Sequence, residues 1–67
     1  MNTQEVKKRM ENKHISVAQM SKELGMDPST YYRKMQNNGG DFSALDLMVF
    51  KRVLEMDEKT AISILLS

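Results

Sequence analysis

Cysteine and tryptophan are absent from the 67-residue chain, and proline and histidine occur once each. Without cysteine the chain can form no disulfide and no thiolate metal site, so its stability must come from helix packing or from oligomerisation. No apolar run approaches the ~18 residues of a membrane span, and the charged N-terminus lacks the apolar region of a signal peptide. We therefore expect a cytoplasmic protein with no membrane partner.

Residues that could support catalysis are also few. His14 is the only histidine, so a metal site of the His/Cys type cannot be assembled, and nothing fixes a serine and an aspartate beside it. The pair Gly39-Gly40 follows a predicted helix, whereas a phosphate-cradling loop would open one. A chain of this length has little room for a substrate pocket. We expect a protein that is not an enzyme and that takes no metal, cofactor or small-molecule ligand.

Charge is divided unevenly along the chain, although the formal net charge is only +1. Residues 1–36 hold seven basic and four acidic side chains, whereas residues 37–67 hold three basic and five acidic ones. The basic first half predicts an anionic partner on that part of the chain. The alternative, that mixed charges only keep the surface solvated, is equally compatible with this distribution.

The first two helices are marked by apolar spacing and by capping residues. Apolar residues four apart predict a helix from Thr3 to about Asn12. The segment Ser16-Val17-Ala18-Gln19 matches the capping box S-x-x-Q, in which the serine hydroxyl and the glutamine side chain satisfy free amides. We therefore predict a second helix from Val17 to Leu24, which Gly25 ends because glycine adopts positive φ without strain.

A third helix is predicted after a very short connection. Asp27 is a capping residue and proline fits the first helical position, so this helix spans Pro28 to Gln36. Tyr31 and Met35 lie four residues apart and form its inward stripe. Adjacent residues point about 100° apart, so the neighbouring tyrosine must face outward. The residues left on this outer arc are Ser29, Thr30, Tyr32, Arg33 and Gln36.

Two more helices complete a predicted all-α fold of five helices in one domain. Ser43 caps the fourth helix, with Asp46 three residues further on. The apolar surface of this helix is supplied by Leu45, Leu47, Met48, Val49, Phe50, Val53 and Leu54. The fifth helix is predicted from Glu58 to Leu66. We interpret the methionines at core spacing as residues that fill gaps in the core, namely Met10, Met20, Met35 and Met48.

Two helices of about eight residues, joined by a short turn that starts with glycine, are typical of the helix-turn-helix. In that motif the first helix crosses the DNA backbone, and the N-terminal part of the second enters the major groove. The groove is about 12 Å wide and admits a helix whose short polar side chains reach base edges. Each helix start also offers free amides and a positive dipole end to phosphates.

The string "ISVAQMSKELGMDPSTYYRKMQNNG" resembles the helix-turn-helix of the phage Cro and repressor family, also called the Xre type. The chain is most similar to short Cro-like proteins of phages of Gram-positive bacteria, which carry a comparable "LG…STxYRK" string before an Asn/Gly turn and a Phe-capped helix. The resemblance implies the lambda-repressor-like DNA-binding fold, with the motif at about residues 16–37. It also implies a repressor of transcription that binds double-stranded operator DNA at the nucleoid, in the cytoplasm of a bacterial host.

Site residues follow from the same resemblance, position by position. Ser29 and Arg33 fall where family members read bases, and Tyr32 lies beside them, where it could stack on a sugar or contact a thymine methyl. An arginine there would pair bidentately with guanine, which contributes ~1–3 kcal/mol of discrimination. The residues placed for phosphate contact are Ser16, Val17, Thr30, Lys34, Gln36 and Asn38. A merely solvated charge is an equally good interpretation of the lysine in that set.

Two positions depart from the family pattern. Family members commonly have glutamine at the position of Val17, where it contacts phosphate and supports the first recognition residue. They also often have a polar residue where Pro28 stands. Because both hydrogen-bonding groups are missing here, recognition cannot copy the best-known operators. Ser21 occupies a position at which a small residue, usually alanine, lets the two helices of the motif approach closely.

The C-terminal half supplies the alternative interpretation. Ile64, Leu65 and Leu66 are consecutive apolar residues, which is too wide a spread for one helical stripe. They could form a homodimer surface, in solution or only on DNA, or they could close the core of a monomer. The alternative to DNA binding is a modulator that captures another phage regulator through this acidic, apolar half.

Overall fold

The structure, a computed structural model, describes residues 1–67 and contains five α-helices and no strand. This confirms the predicted all-α architecture. The longest helices have ten residues, and none is long and apolar enough to cross a membrane. The helices, in chain order, are α1 Thr3–Asn12, α2 Val17–Leu24, α3 Pro28–Gln36, α4 Ala44–Val53 and α5 Glu58–Leu65. The last helix is one residue shorter than predicted, because Leu66 is its C-cap.

Short polar side chains determine where four of the helices begin. Asn2, Ser16, Ser43 and Asp57 each accept a hydrogen bond from a backbone amide in the first turn of the helix that follows. The capping box predicted at the start of α2 is present, and the predicted cap Ser43 forms a second capping box with Asp46 at the start of α4. Gly25 ends α2 with a φ of 70°, in the left-handed region that glycine adopts at low cost. Local signals therefore account for most of the helix boundaries.

The core is built around three aromatic rings from α3, the α3–α4 connection and α4. Phe50 is fully buried, and its ring centroid lies 5.1 Å from that of Phe42 and 6.4 Å from that of Tyr31. Edge-on and tilted contacts at these distances add to the stabilisation from burial. The other buried apolar residues are Val6, Met10, Met20, Leu54, Met56, Ala61, Ile64 and Leu65. Helices α1, α2 and α5 thus contribute buried aliphatic or methionine side chains to the core, whereas α3 and α4 contribute buried aromatic rings.

Helix α2 packs against both α3 and α4, while α1 packs against α5. Exposed ion pairs join different helices, including Arg52–Glu23 between α4 and α2 and Lys51–Glu58 between α4 and α5. The hydrogen bond from Lys51 lowers the pKa of Glu58. Solvent-exposed pairs of this kind contribute little to stability, so the apolar core must hold the helices together.

The outward face of α4 corrects one prediction made from the sequence. Met48 is 64% exposed, so it does not fill the core as its spacing indicated. Residues two apart on a helix point ~160° away from each other, and the inward direction is taken by Phe50. Leu45 lies on the outward side as well and is 73% exposed. Helix α4 is apolar around its whole circumference, which is why spacing alone did not separate its two faces.

For the C-terminal apolar residues the structure favours one of the two alternatives that the sequence left open, namely closing the core of the monomer, and corrects Ile64 and Leu65 as a partner surface. Ile64 and Leu65 are 6% and 4% exposed and belong to the core, so they are not available as a surface for a partner. Only Leu66 of the predicted partner surface is exposed, at 67%. The backbone explains the change: the carbonyl of Ile64 accepts a hydrogen bond from the amide of Asn2, which holds the end of α5 against the start of the chain.

Two serine-to-alanine variants are expected to change stability in opposite directions. Ser21 is 1% exposed and its hydroxyl has no hydrogen-bond partner, so Ser21→Ala should raise the free energy of unfolding by about 0.5–1 kcal/mol. Ser43→Ala removes a capping box and should lower it by about 1 kcal/mol. Urea unfolding followed by circular dichroism measures both. A destabilised Ser21→Ala protein would show that the hydroxyl has a partner.

Candidate nucleic-acid interface

The connection between α2 and α3 is three residues long and is held by backbone hydrogen bonds. The amide of Gly25 donates to the carbonyl of Lys22, and the amide of Met26 donates to the carbonyl of Ser21. The side chain of Met26 is half-buried and packs against the core. These contacts fix the direction in which α3 leaves α2, so the start of α3 has a defined position relative to the start of α2.

The inner face of α3 is anchored by Tyr31, which is 3% exposed. Its hydroxyl donates a hydrogen bond to Sδ of Met10 on α1, at 3.3 Å. Its ring centroid lies 6.1 Å from that of Phe42. The interpretation of Tyr31 as a core residue is confirmed. Met35, the other member of the predicted inward stripe, is half-buried at the edge of the core.

The outer arc of α3 is solvent-exposed at the positions predicted to contact bases. Tyr32 is 55% exposed and meets the ring of Tyr31 edge-on, with centroids 5.9 Å apart. Ser29, Arg33 and Gln36 are exposed, and their side chains make no hydrogen bond or ion pair within the chain. One helix face therefore presents an aromatic ring, a hydroxyl, an amide and a guanidinium to solvent together.

Arg33 differs from the other two arginines of the chain. Arg9 lies 3.4 Å from a carboxylate oxygen of Glu5, and Arg52 lies 3.0 Å from one of Glu23. Arg33 has no carboxylate within ion-pair distance. Its five N–H donors are free to meet an external acceptor, and their planar fork matches a guanine edge or a phosphate.

The start of α3 lacks the side-chain cap that the sequence predicted. Asp27 occupies the N-cap position, but its carboxylate makes no capping hydrogen bond, so the prediction is corrected on this point. Pro28 has no amide hydrogen, and the amides of Ser29 and Thr30 have no partner within the chain. Free amides at a helix start carry the positive end of the helix dipole and attract anions.

The predicted phosphate contacts are in different structural situations. Ser16 is exposed, and its hydroxyl oxygen accepts a hydrogen bond from Gln19, which leaves the hydroxyl hydrogen free to donate outward. Lys34 is half-buried, and its Nζ donates to the carbonyl oxygen of Asp41 at 3.2 Å. The remaining residues are Val17 and Thr30, which are half-buried, and Gln36 and Asn38, which are exposed. Among the predicted phosphate contacts, Lys34 is thus the residue whose side-chain charge already has a partner within the chain.

An apolar groove between α1 and α3 was not predicted from the sequence. It has a volume of about 440 Å³ and adjoins the outer arc through Tyr32 and Gln36. Its apolar lining is formed by Met10, Ile15, Val17, Tyr31, Tyr32 and Met35. The one signal that could have indicated it is Val17, an apolar residue at the exposed start of a helix. The candidate interface therefore combines polar groups on α3 with an apolar margin.

Comparisons with known proteins add no further assignment. No protein-family model matches the chain, and neither the curated proteins nor the solved structures contain a match. Within the structure, no group of three or more His, Cys, Asp or Glu side chains is arranged to hold a metal ion.

Replacing Tyr31 should change how stability depends on alkaline pH. Burial, with a smaller contribution from Tyr32, raises the pKa of Tyr31 from 10.0 to about 12. The folded state thus favours the neutral phenol, and this stabilisation is complete below pH 10 and is lost as the pH rises toward 12. Tyr31→Phe should lose less stability than the wild type between about pH 9 and about pH 11. Urea unfolding at the two pH values measures this.

The matched control for that experiment is Tyr32→Phe, which removes the exposed hydroxyl next in sequence. Its loss of stability over the same pH interval should be only slightly smaller than that of the wild type, because Tyr32 makes the smaller contribution to the raised pKa of Tyr31. If Tyr31→Phe and the wild type lost the same free energy of unfolding, the buried phenol would not be the group responsible.

Proposed function

We propose that the chain is a sequence-specific, double-stranded DNA-binding regulator of transcription in which α2 and α3 act as a helix-turn-helix. Helix α3 enters the major groove with its first turns, and α2 lies across the sugar-phosphate backbone. The proposal is supported by the short, fixed connection between the two helices and by the exposed polar arc on α3.

The observation that carries the proposal is the unpaired guanidinium of Arg33 on that arc. Both other arginines are neutralised by carboxylates of the same chain. A side chain held one turn beyond the start of α3 projects from the part of the helix that reaches deepest into the groove. Bidentate pairing with O6 and N7 of a guanine satisfies its donors there. Ser29 and Tyr32 flank it and supply a hydroxyl and an aromatic face to neighbouring bases.

Contacts with the DNA backbone come from two helix starts. At α3 the amides of Ser29 and Thr30 are free to bind a phosphate, since no side chain caps them. At α2 the hydroxyl of Ser16 is free to donate, and the apolar Val17 takes the position where a glutamine would otherwise bind phosphate. Gln36 and Asn38 extend the contact beyond the other end of α3. Lys34 would contact phosphate only after leaving the carbonyl of Asp41.

The resemblance to phage Cro-like proteins supplies the biological part of the proposal. The protein is then a phage or prophage repressor that acts by occupying promoter DNA in the cytoplasm of its bacterial host. Binding is tested by fluorescence anisotropy on overlapping labelled fragments of the surrounding genome, at about 50 mM and about 200 mM salt. One fragment bound far more tightly than the others, and more weakly at the higher salt, is the expected result. Uniform weak binding to every fragment would contradict sequence-specific recognition.

Substitutions of Arg33 should distinguish the recognition of bases from nonspecific electrostatic attraction to DNA. Arg33→Ala should weaken binding to the tight fragment by about 1–3 kcal/mol, roughly 5- to 150-fold, and should reduce the preference over other fragments. Arg33→Lys keeps the charge and loses the bidentate fork, so its preference should fall more than its affinity for unrelated DNA. Competition anisotropy measures both quantities.

The control is Lys59→Ala, which removes one exposed positive charge on α5 and alters the net charge by the same amount. It should leave the preference among fragments unchanged and affect overall affinity only slightly. Equal effects of Arg33→Ala and Lys59→Ala would show that Arg33 contributes charge alone and reads no base.

A further inference from the structure

Val17 is an apolar residue at the start of the helix that crosses the DNA backbone in the proposed function. It is the first residue of α2, directly after the N-cap Ser16, and it is half-buried. Part of its side chain packs against the core, and part lines the apolar groove between α1 and α3. Valine has no side-chain hydrogen-bonding group, so only its backbone amide, in the first turn of α2, can bind a phosphate. The side chain of Val17 is therefore available only for an apolar contact.

Tyr32 lies on the side of the outer arc that faces this groove. With a step of 100° per residue, Tyr32 and Arg33 point about 60° and about 40° to opposite sides of Ser29. Of these three residues only Tyr32 lines the groove, and it is 55% exposed. Met35, about one turn further along α3, lines the groove as well. The outer arc therefore has a polar side at Arg33 and an apolar side at Tyr32.

The groove connects the start of α2 with the outer arc of α3 through apolar side chains. Ile15 and Val17 line it from the start of α2, and Tyr32 and Met35 line it from α3. In the geometry of the proposed function, the start of α2 lies at the sugar-phosphate backbone and the outer arc lies at base edges. An apolar surface that joins the two elements then meets the edge of a base close to the backbone.

We infer that Val17 and Tyr32 together bind the C5 methyl group of a thymine in the operator, an inference that rests on the proposed function. In the major groove this methyl is the apolar group that distinguishes one base edge from the others, whose remaining groups are hydrogen-bond donors and acceptors. A donor such as the cytosine amino group, placed against a valine side chain, would lose water without gaining a partner. A methyl group loses no hydrogen bond there. The side chain of Val17 thus contributes to base identity, while its amide remains free for a phosphate.

The polar residues around the groove favour an uncharged group over a phosphate. Lys7 and Glu11 line the α1 side, about one helical turn apart, and neither forms an ion pair. Their opposite charges largely cancel at the groove. The other polar residues of the lining are uncharged, namely Thr3, Gln4 and Gln36. A methyl group fills only a small part of the groove, whose volume is about 440 Å³, and leaves the rest to solvent.

Deoxyuridine tests the inference, because it differs from thymine only by the missing C5 methyl group. The tight fragment found by anisotropy is shortened to its minimal site, and each thymine is replaced singly by deoxyuridine. At one thymine position the replacement should weaken binding by the wild type about three- to ten-fold, which corresponds to the loss of one buried methyl group. Replacement of a thymine that the protein does not contact should change the affinity less than about two-fold.

Variants of the two side chains show whether they bind that methyl group. Val17→Ala and Tyr32→Ala should bind the thymine site and the deoxyuridine site with affinities within about two-fold of each other. Tyr32→Phe keeps the ring and should retain the preference for thymine. Leu45→Ala is the matched control, because it shortens an exposed apolar side chain on α4, outside the motif, and should retain the preference as well. Circular dichroism confirms that the variants are folded, and Tyr32→Ala tests the inference even if loss of a core contact unfolds Val17→Ala.

Methylated cytosine provides a second measurement at the same position, with the wild-type protein. Replacing the sensitive thymine by cytosine, with guanine opposite, introduces the amino group and should weaken binding. Adding a C5 methyl group to that cytosine should recover about three- to ten-fold in affinity. This comparison separates the effect of the methyl group from that of the other groups on the base edge.

Three results would overturn the inference. A tightly bound fragment at which no thymine can be distinguished from deoxyuridine would exclude methyl recognition and leave the proposed function intact. A deoxyuridine effect that persists in both Val17→Ala and Tyr32→Ala means that other residues bind the methyl group. The absence of any preferred fragment contradicts the proposed function and this inference with it. The first two results require a preferred fragment and the third lacks one, so the two failures are distinguishable.

Discussion

The position of α3 depends on the packing of Tyr31 in the core. A nine-residue helix is too short to be stable alone, so α3 exists because its inner face is held by the core. The ring of Tyr31 packs near Phe42 and Phe50, and its hydroxyl bonds to Met10. Because Tyr31 points into the core and successive helical residues point about 100° apart, Tyr32 and Arg33 face solvent. The proposed reading surface is thus a geometric consequence of a packing contact.

Helix α4 has one side that supports α3 and one side that the core does not use. Its inner side supplies Phe50 to the aromatic cluster that supports α3, and its outer side carries Leu45 and Met48. Both sides belong to one rigid helix that is capped at its start by Ser43. A change of core packing at Phe50 would therefore alter the position of α3 and of the outer face together.

Helix boundaries were predictable from sequence because they are set by neighbours in the chain. The caps Ser16 and Ser43 and the terminating Gly25 act within four residues, and each was found where predicted. The orientation of Met48 and the burial of Ile64 were not predictable, because they depend on packing between helices distant in sequence. The carbonyl that engages Lys34 and the missing cap at the start of α3 likewise depend on the course of a loop. Periodicity is informative only where a helix has one polar side.

The charge available to an anionic partner is the unpaired charge, and the structure concentrates it in the first half of the chain. Of the ten basic side chains, Arg9, Lys13, Lys51 and Arg52 are paired with carboxylates, and Lys34 binds a carbonyl. Four of the remaining five precede residue 37, namely Lys7, Lys8, Lys22 and Arg33. In the second half Lys51 pairs with Glu58, whereas Arg52 pairs with Glu23 and Glu55 pairs with Lys13 of the first half. The net charge of the chain is therefore close to zero, although the unpaired positive charges lie mostly in the first half. Among those four unpaired cations, Arg33 is the one on α3.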